Sequence, residues 1–267
     1  MIIIGLITLL WYTLVVTRIC WEESKVGWPI MIYHRLIPYT ITHLTLATLQ
    51  LFYLIPFYIC GYFKYYHIMQ HIGYNFAFCI RVFWGNLKIT GIENIPKEKA
   101  IWIGNHQSIL DMGIMSNLPC KTPLIGTSKS SIKFVPASGI IAILSKTILI
   151  DRKNKNRANT FFRNTVETLN NGNSINIYPQ GTRKYGEPPL PFKYGAFNLS
   201  AITKVPIVPY KISYDIPNSN IYLEFFPTIN RKEESKLTPS LLMEKAYNVI
   251  YPKSNLTPNP IPHGGLD

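Results

Sequence analysis

A histidine followed five positions later by an aspartate, in Asn105-His106-Gln107-Ser108-Ile109-Leu110-Asp111, is the stretch of this sequence best suited to chemistry. The apolar run from Ala100 to Ile103 reads as a short buried strand that Gly104-Asn105 breaks. Ser108 with Asp111 three residues on is a capping-box pattern that opens a helix. His106 then lies on the turn ahead of the helix and Asp111 in its first turn, so the two side chains can converge. A carboxylate on one imidazole nitrogen fixes the tautomer and leaves the other nitrogen free as a general base. The same residues also fit a plain helix cap beside an ordinary loop histidine, and the pair alone does not decide between the two.

Four later stretches hold further groups that could bind a substrate, after predicted strands, where an α/β sheet presents its ligand-binding residues. The first is Lys129-Ser130-Ser131-Ile132-Lys133-Phe134-Val135-Pro136 followed by Gly139, and the second is Asp151-Arg152. The third is Tyr178-Pro179-Gln180-Gly181-Thr182-Arg183-Lys184. The fourth, Pro191-Phe192-Lys193-Tyr194-Gly195-Ala196, leads towards Val205-Pro206-Ile207-Val208-Pro209. Gly181 permits a tight turn that lets backbone amides approach a ligand. Arg183 offers a rigid fork matched to phosphate oxygens, with Lys184 and Lys193 as additional cations. Taken singly, each is equally a solvated surface charge, a turn glycine or a strand-end proline.

These groups need a scaffold, and 267 residues allow one substantial core with a smaller appendage. The chain is 47% hydrophobic and only 15% charged, with a mean hydropathy of +0.09, which points to membrane contact. Its 27 Lys and Arg against 14 acids give a formal charge of +13, which attracts anionic lipid or phosphorylated substrates. The basic residues follow no RNA-binding pattern and no recognition-helix signature appears, so nucleic acid is not an expected partner. Cys20, Cys60, Cys79 and Cys120 are scattered, without CxxC or zinc spacing, which indicates neither a disulfide framework nor a metal site.

Met1 to Thr17 is an uncharged apolar run that reads as a membrane helix, and a second runs from about Ile41 to Phe63, where Pro56 suggests a kinked span or a shallow hairpin. Trp21, Trp28, Tyr33, Tyr39, Tyr62, Tyr65 and Tyr66 flank these runs as candidate interface anchors. Tyr65 to Trp84 is expected to form a linking helix. Beyond it, Leu87-Thr90, Ala100-Ile103, Pro123-Thr127, Thr147-Ile150, Ser174-Tyr178, Pro206-Ser213 and Ile221-Phe226 read as strands. Between the fourth and fifth, Ala158, Phe162, Val166 and Leu169 recur at helical spacing and Gly172 closes the helix. Thr238-Pro239 caps a last helix to about Tyr251. The expected fold is α/β, a mostly parallel or mixed seven-stranded sheet flanked by helices. Residues 1–84 would be membrane-associated helices, 85–251 the α/β domain and 252–267 a loose tail.

In order and spacing, Asn105 to Asp111, Lys129 to Arg152, Tyr178 to Arg183 and Val205 to Pro209 resemble the four blocks of the glycerolipid acyltransferases, above all the 1-acyl-sn-glycerol-3-phosphate (lysophosphatidate) acyltransferases. Asn105-His106 with Asp111 matches the NHxxxxD block, Ile148 to Arg152 resembles the second, and Pro191-Phe192-Lys193 with Gly195-Ala196-Phe197 looks like the PFKxGAF segment. The resemblance covers about Leu87 to Ser213. It departs in the third block, where Gln180 stands for the glutamate of FPEGTR, with the turn residues Gly181 and Thr182 and the cation Arg183 intact.

The resemblance implies direct acyl transfer from acyl-CoA, as co-substrate and without a further cofactor, to the sn-2 hydroxyl of lysophosphatidate, giving phosphatidic acid. His106 and Asp111 would be the catalytic pair. Arg183, with Lys129, Arg152 and Lys193, would hold the acceptor phosphate. The implied setting is a phospholipid membrane, with the eukaryotic look of the second block suggesting endoplasmic reticulum. A different lysophospholipid or glycerol-phosphate acceptor, or a non-catalytic membrane lipid-binding protein, are the alternatives.

Overall fold

Apolar residues alternating between two faces build the strands, and each face is covered by its own set of helices. The computed structural model describes residues 13–21, 23–25, 33–116, 118, 121–135, 138–151, 156–186, 188–231, 234 and 236–252, apart from the side chains of Tyr66, Met69 and Arg157. The first half of the chain forms α1 (residues 13–21), α2 (Tyr33–Ile59), α3 (Tyr65–Phe83), β1 (Asn86–Thr90), β2 (Ile101–Gly104), α4 (Leu110–Ser116), β3 (Leu124–Ile125) and β4 (Thr127–Lys129). The second forms α5 (Ser138–Leu144), β5 (Ile148–Ile150), α6 (Arg157–Asn170), β6 (Ser174–Ile177), α7 (Gly195–Thr203), β7 (Ile207–Asp215), β8 (Asn220–Phe225) and α8 (Pro239–Ile250).

Six strands make one mixed sheet in the order β1-β8-β7-β2-β6-β3, in which only β7 and β8 pair antiparallel among the described residues. A single seven-stranded sheet was expected. Instead the third predicted strand divides at Gly126: Leu124 and Ile125 pair with β6, and Thr127 to Lys129 pair with β5 as a separate two-stranded ladder. The carbonyl of Gly126 accepts from Ile148 N (3.0 Å), which turns the backbone towards β5, and Thr127 keeps its hold on β6 only through its hydroxyl, 3.1 Å from the Asn176 carbonyl.

The central strand β2 is buried on both faces, as strands between helical layers are. Trp102 points to one side, with Tyr210 and Ile212 of β7, Ile80 of α3 and Trp84 that follows it, and Ile114 of α4. Ile101 and Ile103 point to the other, with Phe197 of α7, Leu169 of α6 and Leu242 of α8. On α6 the buried face shifts by one residue from expectation: Ala158 is exposed, and Phe161 packs against the core with Phe162 and Val166. Thr238 caps α8 as expected, its hydroxyl accepting from Leu241 N, with Pro239 first in the helix.

Helices α2 and α3 form a hairpin through the turn at Cys60. Pro38 and Pro56 lie inside α2 without ending it, each removing one backbone donor from the ladder. Near its start, Leu36 and Tyr39 enter the same core as Trp102, so Tyr39 is a buried packing residue and not an interface anchor. Farther along, Ala47, Leu51 and Leu54 pack on Ile68 and Ile72 of α3 and on Ile141 of α5. The outer face of the hairpin leaves Ile41, Leu49, Phe52 and Ile59 of α2, and Tyr74, Phe78 and Val82 of α3, exposed. By length and mean hydropathy (27 residues, 1.3) α2 could cross a membrane, although a third of its apolar window is buried in the protein. Residues 1–12 of the first expected span, Trp28, and the tail beyond residue 252 lie outside the described residues.

Candidate active site

The neighbouring strands β7, β2 and β6 run parallel, so their carboxyl ends open on one crevice, where α/β sheets bind ligands. Strand β2 ends at Gly104, opposite Tyr210 of β7, where a Cβ would lie 2.2 Å from the Tyr210 ring. Asn105 continues the ladder with its side chain. Its Oδ1 accepts from Ile212 N and its Nδ2 donates to the Ile212 carbonyl, both at 2.7 Å. The backbone is thereby released to turn, and His106 leaves the sheet while β7 runs on beside it.

Asp111 is wholly buried, and its Oδ2 accepts from His106 Nδ1 at 2.8 Å and from the backbone N–H groups of Gln107 (2.7 Å) and Ser108 (3.0 Å). The bond to Ser108 N is the acidic half of the expected capping box, and the Ser108 hydroxyl accepts from Leu110 N at 3.2 Å. One carboxylate therefore caps α4 and also bonds the imidazole. The other oxygen of Asp111, Oδ1, accepts from the Tyr214 hydroxyl of β7. The His106 ring stacks on Tyr178, with centroids 3.9 Å apart and planes 13° from parallel, and remains 15% exposed. With Nδ1 engaged, the second ring nitrogen, Nε2, is the one left for a substrate.

Beneath this pair lie three phenols. The Tyr210 hydroxyl donates to Asn176 Oδ1 at 2.8 Å. Burial, with added repulsion from the Asp111 carboxylate, holds the Tyr178 and Tyr214 hydroxyls well above the usual phenol range, and burial raises Tyr210 likewise. They stay protonated donors at any working pH.

The loop after β6 is tied to His106 at two points. Gln180 Oε1 accepts from His106 N at 2.9 Å, and Lys184 N donates to the His106 carbonyl at 2.9 Å. Arg183, lying between those ties, is carried to the same end of the sheet as the histidine. Gln180 is 5% exposed and its Nε2 faces the Leu190 carbonyl and the Tyr251 hydroxyl, both at 3.4 Å, so it shapes the loop from inside. Gly181 adopts φ +73°, and a Cβ there would come within 3.1 Å of the Lys193 side chain, which lies over the turn. Lys193 N also donates to the Pro179 carbonyl.

The other expected site residues fare differently. Thr182 is exposed on the loop surface. Lys129 is exposed at the end of β4, opposite Ile150, with no hydrogen bond or ion pair to His106, Asp111 or Arg183 among the described residues. Arg152 lies outside the described residues.

Three contacts were not foreseen. Arg183 Nη1 pairs with Glu23, a carboxylate 1% exposed that follows α1. Nothing in the sequence joins positions 160 apart. The Tyr178 stack and the Tyr214 bond carry a faint signal: Tyr214 keeps the two-residue phase of Tyr210 and Ile212, which puts it on the face of β7 that meets α4.

The fold is that of an α/β protein whose mixed sheet carries a histidine–aspartate pair at its carboxyl edge, beside an arginine-bearing turn. Residues 86–213, just under half of the chain, match the family model described as Acyltransferase, and over that stretch the chain is similar to the proteins of that family. It is 36% identical over 131 residues to the 1-acyl-sn-glycerol-3-phosphate acyltransferase of Saccharomyces cerevisiae, a match covering 48% of this chain and 43% of that one. The Escherichia coli protein of the same name is 32% identical over 146 residues, 51% of this chain and 59% of that one. Homo sapiens 1-acyl-sn-glycerol-3-phosphate acyltransferase alpha is 30% identical over 198 residues, 73% and 62% of the two chains. The chain thus spans between 43% and 62% of the length of these three relatives. The crystal structure of the 1-acyl-sn-glycerophosphate (LPA) acyltransferase PlsC of Thermotoga maritima shares the fold, with a TM-score of 0.57 at 18% identity over 77% of this chain and 92% of that one.

Proposed function

We propose that this protein transfers a fatty acyl group from acyl-CoA to the sn-2 hydroxyl of 1-acyl-glycerol 3-phosphate, forming phosphatidic acid. The observation that carries this reading is the double tie of the Gln180–Lys184 loop, which bears Arg183 with its phosphate-matched guanidinium, to the backbone of the carboxylate-backed His106. His106 Nε2 takes the proton from the acceptor hydroxyl as its oxygen attacks the thioester carbonyl. Asp111 supports the imidazolium that forms. The tetrahedral intermediate then collapses, the C–S bond breaks, and the proton on His106 passes to the leaving CoA sulfur. Acid–base transfer of this kind is worth about 10²–10⁴-fold, and holding both substrates in line adds roughly 7–11 kcal/mol. Arg183 and Lys193 hold the acceptor phosphate.

The exposed apolar face of the α2–α3 hairpin suits a bilayer, where both acylated substrates reside. The two ends of α2 pack onto the α/β body, through Leu36 and Tyr39 at one end and through Leu51, Leu54 and Ile141 at the other. A helix held along its length in this way favours a hairpin dipping into one leaflet over a span. The endoplasmic reticulum is the proposed compartment on the strength of the sequence resemblance.

One observation favours a second acceptor class. Glu23 already neutralises Arg183, which would suit a lysophospholipid with a cationic headgroup as well as a bare phosphate monoester. A panel of lysophosphatidate, other lysophospholipids and glycerol 3-phosphate with purified protein and radiolabelled acyl-CoA tests both readings. Turnover with lysophosphatidate, lost by at least about a hundredfold in His106→Ala, is the expected result. Lipid binding that survives in both proteins without turnover in either would identify a non-catalytic binder.

A further inference from the structure

We propose that Tyr214 is a positioning residue of the acyl-transfer site, holding Oδ1 of Asp111 so that Oδ2 stays on the His106 ring. The inference rests on the acyltransferase reading above and adds a residue to it. Asp111 is buried completely, and three donors already crowd its Oδ2: the His106 ring and the backbone N–H groups of Gln107 and Ser108. Tyr214 is the donor that meets Oδ1. A buried carboxylate with one oxygen satisfied and the other bare gains by rotating about Cβ–Cγ to share its donors, and such a rotation draws Oδ2 away from Nδ1. A phenol on Oδ1 removes the reason to rotate.

The fold supplies that phenol rigidly. Strand β7 outruns β2 because the Asn105 side chain takes over the ladder at Ile212, and Tyr214 lies two residues further along the same face. Its backbone is fixed from the far side by β8, where Tyr214 pairs with Ile221. The ring packs against the core that holds Leu110 and Ile114 of α4. Asp111 is thus clamped between the amides of its own turn and a hydroxyl from a neighbouring strand. Because the Tyr214 hydroxyl keeps its proton far above neutral pH, the clamp does not loosen across the range in which an imidazole works.

Tyr214→Phe removes one oxygen and keeps the ring packing. The expected result is a fall in kcat of about 10–100-fold, the loss of one bond to a charged group, with the KM values for acyl-CoA and acceptor within about twofold of wild type. The proton on His106 Nδ1, assigned in the NMR spectrum of ¹⁵N-histidine-labelled protein by its disappearance in His106→Ala, should shift or broaden in Tyr214→Phe. Site-specific 3-fluorotyrosine at position 214, which keeps the fold and strengthens the donor, should shift it as well. Unchanged kcat in Tyr214→Phe, or an Nδ1 proton indifferent to both replacements, overturns the proposal. If the wild-type protein transfers no acyl group to any acceptor, the proposed reaction fails, and the NMR comparison still decides whether Tyr214 governs the Asp111–His106 bond.

Discussion

Glu23 and Arg183, 160 residues apart in sequence, form an ion pair at the edge of the site, with the carboxylate 1% exposed and the guanidinium partly open to solvent. A phosphate approaching Arg183 must compete with that carboxylate for the same donors. Removing the charge while keeping the shape, in Glu23→Gln, should lower the KM for lysophosphatidate about three- to tenfold and leave kcat nearly unchanged, since the guanidinium would then face a neutral amide oxygen, a weaker competitor for phosphate than a carboxylate. Steady-state kinetics at several acceptor concentrations would read this directly. A raised KM would mean that Glu23 aims the guanidinium and does not compete for it.

Asp111 does two jobs with one oxygen, and Asp111→Asn separates them. The amide still accepts from one partner, so much of the cap on α4 survives, but its NH2 must either face a backbone N–H of the turn or turn a present donor into an acceptor, the Tyr214 hydroxyl by rotation or the imidazole by changing tautomer. The expected loss in kcat is about 10²–10⁴-fold. A lowered melting temperature should accompany it, because every group facing this carboxylate is a donor. Were Asp111 only a cap, the melting temperature would fall and kcat would hold.

The sequence made the helix cap, the histidine turn and the Gln180–Arg183 loop legible because each is local. A box spacing, a glycine in a turn and a strand end are all written within a few residues. The division of the third strand at Gly126 was not legible, because β-pairing depends on which neighbour offers a free edge, and Thr127 to Lys129 had two. Tyr39 resembled an interface anchor by composition and proved to be core, since periodicity does not say which face of a helix meets protein and which meets lipid. The partners that complete the site, the Glu23 carboxylate on Arg183 and the Tyr214 hydroxyl on Asp111, come from segments that only the fold brings to it.

Asn105 gives a stability prediction independent of catalysis. Its amide makes two hydrogen bonds to Ile212 where no water reaches, standing in for a strand residue. Asn105→Ala leaves the N–H and C=O of Ile212 buried without these partners, at a cost of about 1–3 kcal/mol. For a chain of this size that corresponds to a fall in melting temperature of roughly 2–4 °C per kcal/mol. Asn105→Asp should be at least as harmful, because a carboxylate oxygen would then face the Ile212 carbonyl. Thermal unfolding of the three proteins in the same detergent would show it, and a melting temperature unchanged in Asn105→Ala would mean that β7 needs no tether beyond Tyr210.

Gln180 stands where the resembling proteins carry glutamate, and its contacts say what the side chain must do. Oε1 accepts from His106 N, and this bond any carboxylate or amide oxygen can make. Nε2 points at the Leu190 carbonyl and the Tyr251 hydroxyl, two long contacts of which the second can reverse, since a hydroxyl donates as readily as it accepts. Gln180→Glu therefore keeps the bond that positions His106. It adds repulsion only against Leu190 and the cost of burying a charge, so kcat should stay within about tenfold of wild type while the melting temperature drops. Gln180→Leu removes the acceptor, leaves the His106 N–H unsatisfied and frees one of the two ties on the Arg183 loop. Losing that bond costs about 1–3 kcal/mol, which predicts a fall in kcat/KM of ten- to a hundredfold. If Gln180→Glu instead raised activity well above wild type, negative charge at this position would be part of acceptor handling, and the interior, loop-shaping role of Gln180 would be wrong.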